Sequence, residues 1–484
     1  MQVAKQIGRI GLSALALALA LGAAAMAQDV VTKQYDDGSV YEGTFRNGRQ
    51  DGTGTYTLPN GYSYTGDWVD GEIKGRGVAR YPNGSVYDGT FDKGKPMGTG
   101  KITFPDGGTY EGDWTGGAMT GQGVASYANG SVYTGAFVEG QHQGQGLMVD
   151  KSGTKYQGDW VQGVKQGKGR ITYADGTAYD GDLSAGKREG QGKLTMPDGL
   201  TYEGSWTGGQ INGTGKLTQP NGDVYEGSFR DGQREGTGRV TYGNGDVYDG
   251  AFQGDRRQGR GSFTAKDGSR YEGNWGAGRM EGQGRMTYAD GAVYEGAFRA
   301  DLPDGQGRIT YADRSTYEGE WRAGVIGGKG RAGYASGMVY EGAFVGAKPE
   351  GVGRMTYPDG YVYQGQWKAG QREGQGRAVY KDGTVYEGQF VAGTRQGKGK
   401  LTAPDGFTYI GDWAAGVIEG QGIASYPGGD VYEGTFVAGK REGQGRLVYK
   451  AGDLAEGVWR NGILTAPAAP AVTAPAGPAV EGGG

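Results

Sequence analysis

The sequence has no cysteine and a single histidine, His142. Without thiols no disulfide can hold the fold. One histidine rules out a histidine-based catalytic triad or a multi-histidine metal centre, and His142 reads as a loop decoration. Beyond the N-terminal segment there is no apolar run long enough to cross a membrane. Charge of one sign is also missing: 50 Lys and Arg stand against 54 Asp and Glu. No Lys/Arg run supplies a nucleic-acid footprint. Proline is sparse, at 15 residues, and eight of these fall in one recurring turn slot, which spares the strands.

Glycine and tyrosine, in contrast, are abundant, with 106 and 33 residues. The glycines do not follow a Gly-X-Y period, which excludes collagen. So many aromatic rings exclude a glycine-rich disordered linker. The nine tryptophans all fall at equivalent positions of a 23-residue period. Tyr64-Thr65-Gly66-Asp67-Trp68 represents it, preceded by Tyr41-Glu42-Gly43-Thr44-Phe45 and followed by Tyr87-Asp88-Gly89-Thr90-Phe91. The series runs without insertion or deletion to Tyr432-Glu433-Gly434-Thr435-Phe436, with a worn nineteenth copy at Ala455-Glu456-Gly457-Val458-Trp459. A fixed period of this kind marks one supersecondary unit stacked many times.

Within one copy, Tyr64, Gly66 and Trp68 alternate on one face of a strand, and Gly75, Gly77, Ala79 and Tyr81 alternate on the next. Each copy is therefore expected to be an antiparallel hairpin with a loop around Gly71. Pro82-Asn83-Gly84 predicts a three-residue connection, a type I turn followed by a left-handed glycine. Arg314 stands where that glycine is missing. If Trp68 lies across from Gly77, its ring rests on bare backbone, an aromatic rescue of a strand glycine. The expected fold is all-β: an elongated, twisted, single-layer antiparallel meander of about nineteen 23-residue hairpins. At two strands per copy it would extend roughly 180 Å.

The expected anchors, sampled along the array, are Tyr64, Gly66, Trp68, Gly75 and Gly77; Tyr110, Gly112 and Trp114; Tyr202, Gly204 and Trp206; Tyr271, Gly273 and Trp275; and Tyr363, Gly365 and Trp367. The anchor aromatic alternates Phe and Trp, with a phase slip where Phe229 and Phe252 occur consecutively, and a local bend is predicted there. Loop tips tend to alternate as well. Trp copies often carry apolar tips (Ile73, Met119, Ile211, Met280, Ile326, Ile418) and Phe copies polar or basic ones, such as Arg188, Arg257 and Arg441. Arg372 breaks the rule.

A basic residue commonly follows the Gly-x-Gly pair, and an acidic one commonly follows the anchor tyrosine. Cross-strand ion pairing between these rows is the structural reading. Arg170, Lys193, Arg239, Arg285, Arg354 and Lys400 are also candidate surface contacts for anionic headgroups or glycans. The carboxylates line a flat sheet with no pocket to raise a pKa, so no catalytic pair, metal site or cofactor is expected.

Lys5 and Arg9, the apolar stretch from Ile10 to Gly22, and Ala25-Met26-Ala27 read as a signal peptide over residues 1–27, with cleavage before Gln28. The mature chain would be exported, periplasmic or secreted. Residues 28–40 read as an N-terminal half-repeat cap, 41–464 as the array, and 465–484 as a disordered Pro/Ala/Gly-rich tail.

The pattern Tyr-Glu-Gly-x-Trp, then Gly-x-Gly, resembles the MORN (membrane occupation and recognition nexus) repeat, as in Tyr202-Glu203-Gly204-Ser205-Trp206 with Gly213 and Gly215. The resemblance spans about residues 30 to 464. It implies a single-layer antiparallel meander with roles in scaffolding, dimerisation and membrane-lipid contact; the flat carboxylate face makes a non-enzymatic scaffold the expectation. The expected partners are accordingly another protein, a copy of the chain joined through its end strands, or a membrane-lipid or cell-wall-glycan surface met by the aromatic columns and the basic face.

Overall fold

The computed structural model describes residues 29–468; the expected signal peptide 1–27 and most of the expected tail lie outside them. The described chain forms 39 β-strands and no helix. They fall in two compact units, divided after Pro197. The first holds β1 (Val31–Gln34) to β15 (Lys187–Thr195), the second β16 (Thr201–Thr207) to β39 (Ile463–Pro467). Within each unit every strand pairs antiparallel with its chain neighbours, as expected for a meander of hairpins.

One copy shows how the sequence produces the hairpin. β4 (Ser63–Val69) and β5 (Glu72–Arg80) are joined by Asp70-Gly71. Both turn residues have positive φ, 50° and 88°, the type I′ geometry that matches strand twist. Sequence reasoning placed only Gly71 in a left-handed conformation. The other connection is as expected: Tyr81 N–H bonds Ser85 O at 2.8 Å, Gly84 N–H bonds Tyr81 O at 2.9 Å, and Gly84 has φ +87°. Arg314 adopts φ +69° in the same slot.

The register shifts between Gly66 and Trp68, where Asp67 of β4 lies opposite a three-residue bulge, Lys74 to Arg76, on β5. Asp67 repairs it, its Oδ2 accepting the Arg76 N–H at 2.8 Å. The bulge also shifts the pairing away from the expected one. Trp68 lies opposite Ile73 within its own hairpin and opposite Gly52 of β3 (Arg49–Thr57), while Gly77 faces Gly66 and Gly89. Trp68 therefore does not cover Gly77.

Register continues unchanged through residues 225–275, where the ring alternation slips. Gly254-Asp255 reverses the usual turn order there, with both residues at positive φ. The slip thus changes ring type without changing strand pairing. At the C-terminal end, β39 pairs with β38 (Leu454–Arg460) through Pro467, so 465–467, expected in the tail, are strand.

Candidate functional site: the ring ladder and the open face

The two faces of the sheet divide the chemistry. On one, Tyr64 lays its ring over the Gly66–Gly77 pair. A Cβ on Gly66 would come within 2.6 Å of the Tyr64 hydroxyl, and one on Gly77 within 2.5 Å. Tyrosine, not tryptophan, thus performs the glycine rescue. Its hydroxyl donates to Asp67 O at 2.9 Å, and the pattern recurs at Tyr110, Tyr202, Tyr271 and Tyr363. Gly112, Gly204, Gly273 and Gly365 each sit beneath the hydroxyl of their own tyrosine. Burial pushes the phenols of Tyr110, Tyr202, Tyr271 and Tyr363 up to about 12. Gly75, the first glycine of Gly-x-Gly, serves differently: at φ +116° it makes room for Asp67.

Most anchor tyrosines meet two rings edge-on. Tyr64 contacts Trp68 of its own copy at 5.8 Å and Phe91 of the next at 4.9 Å; Trp68 is also 5.1 Å from Tyr41. Trp68, Trp114, Trp275 and Trp367 each donate their indole N–H to a glycine carbonyl of the preceding copy, at 3.0 to 3.3 Å. The T-shaped contacts run unbroken from Phe45 to Trp160 in the first unit and from Trp206 to Trp459 in the second. The anchor tyrosines are essentially inaccessible, and Trp206 is 3% exposed. These edge-to-face pairs replace a conventional core.

The loop tips cover the ladder and explain why they alternate. Arg257, Arg395 and Arg441, on Phe copies, lie 4.1, 4.3 and 4.4 Å from the ring centres of Trp275, Trp413 and Trp459 on the following copies. Tryptophan is the strongest ring partner for a cation. Each guanidinium also donates to a turn carbonyl of that next copy, Gly278, Gly416 or Gly462. His142 belongs to this layer and is no loop decoration. It stacks on Tyr133 at 3.7 Å and bonds the Tyr127 hydroxyl at 2.6 Å. Desolvation pulls its pKa down to about 4.

The opposite, open face carries the six basic candidates. Each lies across from an acid or amide on an adjacent strand: Arg170 from Gln157 and Asp180, Lys193 from Asp180, Arg239 from Glu226 and Asp249, Arg285 from Glu272 and Glu295, Arg354 from Glu341 and Gln364, Lys400 from Glu387. Arg285 meets Glu295 at 2.9 Å, and the same pairing joins Arg331 to Glu341 and Arg377 to Glu387. The row is thus an alternation of signs. Beside the tight turns this face also exposes Val138, Val161 and Val164 in the first unit and Val391, Val417 and Val437 in the second. Sequence reasoning missed these valines; the signal was their place next to the buried anchor, which puts them on the other face. Among the described residues no group of three His, Asp or Glu is placed to hold a metal.

Hairpin after hairpin, with glycine pairs under tyrosine rings, defines a repeat protein whose stability resides in neighbour contacts. The MORN repeat family model matches eighteen consecutive segments from residue 41 to 454, and the chain belongs to that family. The worn copy at Ala455 is not matched separately. The chain is 46% identical over 50 residues to Alsin of Rattus norvegicus, a stretch that covers 9% of this chain and 3% of that protein. Among solved structures it is similar to the TCP10 domain of Danio rerio CPAP in complex with a STIL peptide. That likeness has 16% identity, covers 55% of this chain and 98% of the other, and has a TM-score of 0.23. It is also similar to the Drosophila melanogaster SAS-4 TCP domain in complex with a proline-rich motif of Ana2, at 17% identity, with 32% and 85% covered and a TM-score of 0.23.

Proposed function

We propose that this protein is a non-enzymatic repeat scaffold, exported through its N-terminal segment, that offers its open face to a partner protein. The observation that carries this reading is the composition of that face: neutralised rows of charge flanked, beside the tight turns, by exposed valines. Such a mixture resembles a protein-docking surface, where apolar contacts are set among paired charges. A lipid- or glycan-binding ribbon running along the aromatic columns has less support, because the anchor rings are buried. Docking of anionic headgroups is disfavoured by the carboxylates that alternate with every basic candidate. Self-association through the end strands is opposed by Lys33 on four-residue β1 and by Pro467 on β39, since charge and proline both blunt strand addition.

Light scattering on the chain from Gln28 onward, repeated with anionic liposomes and with peptidoglycan, tests the scaffold. A defined particle that ignores the liposomes fits it, whereas salt-dependent liposome binding would replace it with lipid attachment. N-terminal sequencing of the protein from an envelope fraction should read from Gln28. An intact Met1 in the cytoplasm would remove the export step.

A further inference from the structure

Two departures from the repeat pattern meet at one place. In the slot just before the Tyr-containing strand, most copies carry a small or polar residue, such as Ser85, Ser131, Thr154, Thr177, Ser315 or Thr384; here the residue is Tyr361. In the loop tip of a Trp copy, an apolar side chain is usual; here the residue is Arg372, opposite Trp367. The copies of Tyr62 and Phe407, aromatic in the same slot, carry Ile73 and Ile418 at the tip, so only here do the two departures coincide. In this copy they are joined, the Arg372 guanidinium donating to the Tyr361 hydroxyl. Arg372 also lies 5.4 Å from the centre of the Phe390 ring, so its head group is fixed by the ladder and in turn fixes Tyr361.

The ring so held lines a shallow, solvent-open groove on the ring face. Tyr361 packs at a tilt against Tyr357 and Tyr380, at 5.0 and 5.1 Å. The rings of Tyr361 and Tyr380 thus lie side by side as one aromatic floor, and the rest of the lining is Asp359, Lys381, Asp382, Thr384 and Arg395. Asp359 Oδ1 accepts the Tyr361 N–H, and Asp382 accepts from both the N–H and the hydroxyl of Thr384. Each carboxylate keeps further acceptor positions. Two half-buried phenol rings therefore face a rim that supplies both acceptors and cationic donors.

We propose that this groove is a binding site for a neutral oligosaccharide. A sugar ring presents an apolar C–H face that would stack on Tyr361 and Tyr380, and its hydroxyls would bond Asp359, Asp382, Thr384 and Lys381. The two carboxylates disfavour a phosphate or other anion, and the paired charges favour a polyhydroxylated ligand over an apolar one. Arg372 acts as a positioning residue behind Tyr361. The site stands apart from the scaffold role and does not depend on it.

The test is ligand-observed NMR saturation transfer on the full chain, with the trisaccharides of glucose and of N-acetylglucosamine and a decaproline peptide as probes. At least one trisaccharide is expected to bind in the millimolar range or tighter. Tyr361→Ser installs the residue usual in that slot, so folding should be retained. It should weaken binding at least tenfold, and Arg372→Ile should weaken it less. Tyr449→Ala removes an exposed tyrosine elsewhere and should leave it unchanged. Absence of saccharide binding at 10 mM on the order-of-magnitude scale of weak single-ring sites, or equal binding by Tyr361→Ser, would overturn the proposal. Decaproline binding without saccharide binding would overturn it too, and would assign the groove to an extended peptide.

Discussion

Tyr64 and Gly77 sit on adjacent strands so close that a single methyl group on the glycine would enter the tyrosine ring. The same relationship, repeated in each copy, is what stacks the copies. The ring buries its face on bare backbone, and its edges engage the Trp or Phe rings on either side. Gly77→Ala should therefore cost about 2–3 kcal/mol by overpacking, seen as faster amide exchange in β4 and β5. Gly48→Ala, at φ +80° with open space around the Cβ, should cost only the backbone term of about 1 kcal/mol. Equal losses at the two sites would refute the role given to Tyr64.

The tight turns hold a small reservoir of stability. Ala369, Ala392, Ala415 and Ala438 occupy positive φ at 47° to 51°, where a Cβ is strained and asparagine is far better tolerated. Their N–H groups are held by Glu350, Glu373, Gln396 and Glu419 of the preceding copy. Replacing the side chain leaves those backbone bonds intact. Each Ala→Asn change should stabilise by about 0.5 kcal/mol, and the four should add nearly independently. Urea denaturation of the quadruple variant would register the sum as a higher midpoint.

Much of this was legible in the sequence because a period read many times averages out local ambiguity. The 23-residue spacing, the alternation of Tyr64, Gly66 and Trp68, and Pro82-Asn83-Gly84 were enough to give the meander, the burial face and one of the two turns. The partner of Gly77 was not legible. Between Gly66 and Trp68 the single residue Asp67 of β4 lies opposite three of β5, Lys74 to Arg76, and this bulge leaves the anchor spacing within β4 looking regular. The tip alternation could be seen at Arg257 and Arg441 but not explained, because its cause is a Trp ring one copy later in the chain. The groove at Tyr361 was hidden for the converse reason: it consists of departures from the repeat, which a search for regularity passes over.

The arginine clamp makes its own prediction. Arg441 sits over Trp459 and bonds Gly462 O at 2.7 Å. Arg441→Lys keeps the charge but loses the planar group that stacks and bonds at once. It should cost about 1 kcal/mol, localised as faster exchange at the Asn461-Gly462 turn. Arg441→Met should behave similarly, since both keep the aliphatic stem. If only the methionine variant loosens the turn, charge alone accounts for the clamp.

His142 should make the first unit sensitive to acid. Its neutral ring is stacked on Tyr133 and edge-on to Trp160, and desolvation lowers its pKa from 6.5 to about 4. The unfolded chain therefore binds a proton between these values while the folded chain does not. Stability is full above about pH 6.5, declines as the pH falls towards 4, and levels off below. The ring is only about half buried, so solvent screening reduces the effect to roughly 1–2 kcal/mol. Titrating carboxylates add their own slope over this range, which makes the informative quantity a difference between proteins. His142→Phe preserves an aromatic ring without a titratable nitrogen. The unfolding free energy of the parent should fall relative to that of the variant from pH 6.5 to pH 4, changing the gap between them by that amount. A gap that stays constant would show that the proton does not discriminate between the folded and unfolded states at this ring.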